Sequence, residues 1–178
     1  MFFARMTLLF LLVLSFEGLA MDKLNKIEKI QVTLTPAILE DSTGLVYIGY
    51  PVSKALVAPY LAQVKALVGD TRYKVLRNNQ AARDHDSFHI TLINPFEHPD
   101  VKSIELKDIP PIRFEFVGVG RAAKNDNQTF FVVVDAKKAQ QVRANYQLKA
   151  KDFHVTLGFD KTDVFGVSKG LDSLLIAQ

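Results

Sequence analysis

Phe88-His89-Ile90-Thr91-Leu92 recurs as Phe153-His154-Val155-Thr156-Leu157, two copies of one F-H-[IV]-T-L pattern. Both copies alternate apolar and polar residues with the period of a strand. Successive side chains on a strand point to opposite faces. Phe88, Ile90 and Leu92 therefore share one face, as do Phe153, Val155 and Leu157, and these are the expected core faces. His89 with Thr91, and His154 with Thr156, share the opposite ones. The chain has four histidines, and two of them fall at the same place in this repeat. A single H-x-T on a strand is ordinarily a half-buried pair bonded to its neighbours. The matched second copy is what points to function. By the same alternation Gly158 follows on the His154 face, where it is expected to leave room for a ligand beside Thr156. Phe159 falls with Leu157 on the core face.

Outward from the repeat, residues 31–35 and 44–50 read as strands, the second a buried one. Pro59 is expected in the first turn of a helix that runs to Val68 and is stopped by Gly69, with Leu61, Val64 and Val68 on its apolar face. Residues 113–119 and 129–134 form an expected hairpin with a long polar tip around Lys124. Asp135 is a suitable N-cap for a helix carrying Ala139, Val142 and Tyr146. A last helical turn is expected near residues 171–176. Strands and helices alternate without the regular rhythm of a doubly wound sheet, so the fold class is α+β.

The 178 residues carry a net charge of +3 and no cysteine. The absence of cysteine excludes disulfides and thiolate ligands or nucleophiles. The mild positive charge suits an anionic substrate, and no long Lys/Arg stripe points to duplex DNA. Residues 1–20 have the layout of a secretory signal: Arg5, an apolar run over residues 7–16, and Gly18-Leu19-Ala20 with small residues at −3 and −1 of a cut. The run is short for a stable membrane span, which needs about 20 apolar residues. The expectation is a secreted or periplasmic protein whose residues 21–178 form one domain and act as a monomer. A true start at Met21 would make it cytoplasmic.

Two imidazoles and two hydroxyls suit phosphodiester chemistry. Imidazole titrates near neutral pH, so one can be a neutral base while the other is a protonated acid. Threonine hydroxyls can donate to non-bridging phosphoryl oxygens. No cofactor and no metal are needed for this. A zinc site would lack a third ligand beside the two histidines, and threonine is a poor one. His85 and His98 read as solvated loop residues, and Arg121, Lys124 and Lys169 as solvated charge. Two other uses of the same cleft stay open, a non-enzymatic module binding nucleotides or RNA ends and a metal-dependent hydrolase.

The tandem H-x-[ST]-hydrophobic motifs resemble those of the two-histidine (2H) phosphoesterase superfamily, which includes LigT-like RNA ligase/cyclic phosphodiesterases and RNA-repair-like proteins. The resemblance runs over roughly residues 44–159. It implies a bilobal, pseudo-symmetric fold with two antiparallel sheets around a central cleft and helices outside. It also implies metal-independent action on 2′,3′-cyclic nucleotides, cyclic-phosphate RNA ends or related phosphodiesters. His89 and His154 would be the acid/base pair and Thr91 and Thr156 the phosphate holders. Tyr50, at the end of the opening strand, is the candidate to line the cleft beside the substrate. Export favours hydrolysis of small cyclic nucleotides or RNA ends over ligation.

Overall fold

The computed structural model describes residues 28–175, and the expected signal segment lies outside them. Strands β1 (Ile30–Leu34), β2 (Ala37–Glu40), β3 (Val46–Val52), β4 (Phe88–Ile93), β5 (Ile112–Lys124), β6 (Asn127–Asp135) and β7 (Phe153–Phe159) build a sheet. Helices α1 (Lys54–Val68), α2 (Asp70–Asp84) and α3 (Lys137–Asn145) accompany it, as an α+β fold requires. All seven strands belong to one sheet in the order β1-β5-β6-β7-β4-β3-β2, and each neighbouring pair is antiparallel.

The two separate sheets expected from the resemblance are therefore one. The motif strands β4 and β7 sit side by side in its middle, joined through Ile90 opposite Val155, the central residues of the two copies.

The main core lies between one sheet face and the helices. Tyr50, Phe88, Ile90, Phe114, Phe116 and Val155 pack there with Val57, Tyr60 and Val64 of α1, Leu76 of α2, and Ala139 and Val142 of α3. Helix α1 starts at Lys54, earlier than Pro59 suggests. Ser53 is its N-cap, accepting from the Leu56 N–H at 3.3 Å. Pro59 lies inside the helix, where its missing N–H costs one intrahelical bond. Gly69 ends α1 at φ +78°, a conformation that favours glycine, and α2 begins at once. The sequence reading leaves residues 70–84 without an element. The buried residues of α2 are Leu76, Gln80 and Asp84, so a mostly polar stripe faces inward and hydrophobic periodicity does not show it. The β5–β6 hairpin is tighter than expected, because pairing continues to Lys124 opposite Asn127.

A β-bulge in β7 overturns two further expectations. Phe131 lies opposite Thr156, yet Phe130 lies opposite Gly158, so β7 carries one extra residue and alternation breaks there. Gly158 consequently turns toward α2. A Cβ there would lie 2.8 Å from the Leu76 Cβ and 2.9 Å from its carbonyl oxygen. The glycine makes room for a helix, not for a ligand. Phe159 is swung to the other side, with the Arg83 guanidinium 4.9 Å from its ring centroid. Gly158→Ala is expected to destabilise the fold by about 1–3 kcal/mol, the usual cost of overpacking. A urea midpoint unchanged from that of the native chain would contradict this packing.

Candidate active site

The sheet face away from the helices carries a cleft of about 620 Å³. His89 and Thr91 of β4 and His154 and Thr156 of β7 all line it. The two repeats thus converge because their strands are neighbours and both turn their apolar residues to the helices. Among the described residues neither threonine hydroxyl is given a hydrogen-bond partner by the protein, which leaves both open to a ligand.

The two histidines are held differently. His154 Nδ1 lies 2.9 Å from the Asp152 backbone oxygen. A carbonyl only accepts, so Nδ1 carries the hydrogen and neutral His154 presents a lone pair at Nε2. Lys169 Nζ stands 3.4 Å from that Nε2. Burial first, and then the Lys169 charge, push the His154 pKa down to about 3. The Phe131 ring lies edge-on at 5.5 Å between centroids and restricts the imidazole from below. His89 has Nδ1 3.3 Å from the Tyr47 hydroxyl, with the two rings 4.9 Å apart. Burial lowers its pKa as well, while the Asp84 carboxylate works in the opposite direction. Burial pushes the Tyr47 phenol far up, so it stays protonated.

Tyr50 does not reach the cleft. It is fully buried on the helix side, its hydroxyl donates to the Pro110 carbonyl at 3.2 Å, and its ring meets Phe114. Tyr47 occupies the place expected of it. The two are three residues apart on one strand and so point to opposite faces. Strand β3 is apolar on both faces, and alternation alone does not tell which one is the cleft.

Behind His154 sits a charged cluster that the sequence does not reveal. Asp163 is buried and accepts from Arg83 Nη1 at 2.7 Å, Lys169 Nζ at 2.8 Å and Thr129 Oγ1 at 2.9 Å. Burial alone would raise its pKa. Lys169 and Arg83 outweigh that and hold the carboxyl well below its ordinary range. Lys169 is 6% exposed, not the solvated charge expected from its place in the tail. Arg83, at the end of α2, also forks onto Asp84. Arg121 and Lys124 remain exposed, and neither lines the cleft. His85 is exposed at the end of α2, whereas His98 is half-buried against Tyr146.

The cleft rim comes from the loops that follow the two motif strands. Phe96 and Phe165 stand there 83% and 71% exposed. Buried Arg143 braces the first loop, donating to the Leu92 and Lys149 carbonyls and to Glu97. Among the described residues no group of three or more His, Asp or Glu side chains is placed to share a metal ion.

Two H-x-T strands meeting at one cleft is the arrangement that the sequence resemblance implied, and a family comparison agrees. The model of the Swiss Army Knife 2H phosphoesterase domain (2H-SAK) matches residues 54–165. The chain belongs to the 2H phosphoesterase family. The matched stretch contains both F-H-x-T-L copies and the two helices between β3 and β4. The 2H phosphoesterase domain is a hydrolytic one that acts on phosphodiesters. No curated protein and no solved structure matches the chain. Part of this 2H cleft lies outside the matched stretch, including Tyr47 before it and Lys169 after it.

Proposed function

We propose that this 2H domain hydrolyses 2′,3′-cyclic nucleotides, cyclic-phosphate RNA ends or closely related phosphodiesters by acid/base catalysis between His89 and His154. One observation carries the reading: both imidazoles and two unpartnered threonine hydroxyls face a single cleft from adjacent strands. One imidazole takes the proton of a water as its oxygen bonds to phosphorus. The ester P–O bond breaks, and the other imidazole gives its proton to the departing oxygen. Thr91 and Thr156 donate to the non-bridging oxygens, where negative charge grows. The histidines end with their protonation exchanged, and solvent resets them.

The cleft volume lies in the usual range for small-molecule sites, which suits a nucleotide or a single-stranded end and not a duplex. Phe96 and Phe165 at the rim offer ring faces on which a base can stack. The signal-like residues 1–20 favour a substrate met outside the cytoplasm.

The purified chain, assayed in EDTA, is expected to open 2′,3′-cyclic nucleotides to monophosphates. No turnover across cyclic nucleotides and cyclic-phosphate RNA ends would sink the proposal. Saturable binding without product would replace it with a binding module. Activity lost with the chelator, together with a stoichiometric metal in the protein, would replace it with a metal-dependent hydrolase.

A further inference from the structure

We propose that Lys169 divides the labour between the two histidines: seated on Asp163 and directed at Nε2 of His154, its ammonium keeps that imidazole neutral as the base and leaves His89 as the acid. This rests on the phosphodiesterase reading above.

The geometry is specific. Lys169 Nζ lies 2.8 Å from Asp163 Oδ1 and 3.4 Å from His154 Nε2. It is flanked by the rings of Phe131 and Phe165, whose centroids are 5.6 Å and 5.7 Å away. Asp152 fixes both partners. Its carbonyl accepts from His154 Nδ1, and its carboxylate accepts from the Lys169 backbone N–H at 3.0 Å. With Nδ1–H already donating, a second proton on His154 would have to sit at Nε2, facing an ammonium. Two donors would then oppose each other with no acceptor between them.

The surrounding charges are unequal in the same sense. His154 is faced by two cations, Lys169 and Lys151, and one carboxylate, Asp163. His89 is faced by three carboxylates, Asp84, Asp163 and Asp41, and one cation, Arg83. A proton entering the cleft is therefore better placed on His89. The hydrogen of its Nδ1 then meets the Tyr47 oxygen, and Nε2–H is left for the leaving group. The contact between Lys169 and Nε2 is long for a hydrogen bond. An anionic phosphoryl oxygen is a stronger acceptor and draws the ammonium to itself, freeing Nε2 for the attacking water. That water gives its proton to His154 while His89 protonates the ester oxygen released from phosphorus. Lys169 lies beyond residue 165, where the family match ends, so this device is supplied by the chain's own tail.

The test is a side-chain NMR titration of both histidines in the full chain, paired with the pH profile of kcat/KM. In Lys169→Met the His154 pKa is expected to rise by about one unit or more with His89 moving less. The acid limb of kcat/KM, which reports the free base, should move to higher pH by a similar amount. Lys169→Arg keeps the charge and should return both toward the native values. If Lys169→Met does not fold, Lys169→Gln, able to hydrogen-bond Asp163, serves for the same titration. An unmoved His154 pKa, or a larger movement of His89, overturns the proposal. So does a rate lowered equally at every pH, which is what a purely structural role would give. Turnover with an unmoved His154 pKa rejects Lys169 alone, whereas no turnover in the native chain rejects the phosphodiesterase reading together with the base assignment.

Discussion

His89→Ala and His154→Ala are each expected to lower kcat on a 2′,3′-cyclic nucleotide by about 10²–10⁴-fold, the usual weight of one general acid or base. Both side chains are only half-buried on the cleft face, away from the main core, so the loss should not come from unfolding. The double variant should fall well short of the product of the two losses, because acid and base serve one transition state. The pH dependence carries a sign. With His154 as base, its pKa of about 3 sets the acid limb of kcat/KM. His89 must be protonated, and burial lowers its pKa below 6.5, so the alkaline limb lies below that value. The kcat/KM optimum is therefore expected on the acidic side of pH 6.5. Bound phosphate favours both imidazolium forms, which shifts the kcat profile to higher pH than the kcat/KM profile. Full activity in both alanine variants, or a monotonic profile when chemistry limits the rate, would contradict the paired imidazoles.

Asp163→Ala is expected to cost about 3–5 kcal/mol of folding stability, as removal of one partner from a buried charge cluster does. Asp163 has a side-chain exposure of 5% and compensates Arg83 and Lys169 together. Without it two cations face each other inside the cleft wall, and the Thr129 hydroxyl and Val164 N–H lose an acceptor. The effect depends on pH in a definite direction. The folded-state pKa of Asp163 is depressed, so its contribution is complete above the unfolded value of about 3.9 and fades as pH falls below it. Urea unfolding at neutral pH should separate native and variant chains widely, and the gap should narrow in acid. Equal midpoints at neutral pH would show that the cluster does not hold the tail against the sheet.

The two motif strands and the four residues they present were legible in the sequence because strand alternation is local. Phe88, Ile90, Phe153 and Val155 face the core, and the H-x-T side chains face the cleft, as period two requires. The same rule failed where a partner strand intervened. The bulge opposite Phe130 and Phe131 reversed Gly158 and Phe159, and register belongs to the pair of strands, not to either one. Tyr47 lines the cleft where Tyr50 was expected, because β3 is apolar on both faces and the sequence did not say which face the helices would cover. Helix α2 stayed hidden because two of its three buried residues, Gln80 and Asp84, are polar, bonded locally to the Ser87 carbonyl and to Arg83, so no apolar stripe marks the face that packs inward. Lys169 read as a solvated tail charge, and only the folded chain brings Asp163 and His154 to it. The sequence by itself determined the chemistry on offer, two imidazoles and two hydroxyls on strands. The tertiary structure decided that they share one cleft and which charges stand behind each, because burying a charge depends on what long-range packing places beside it.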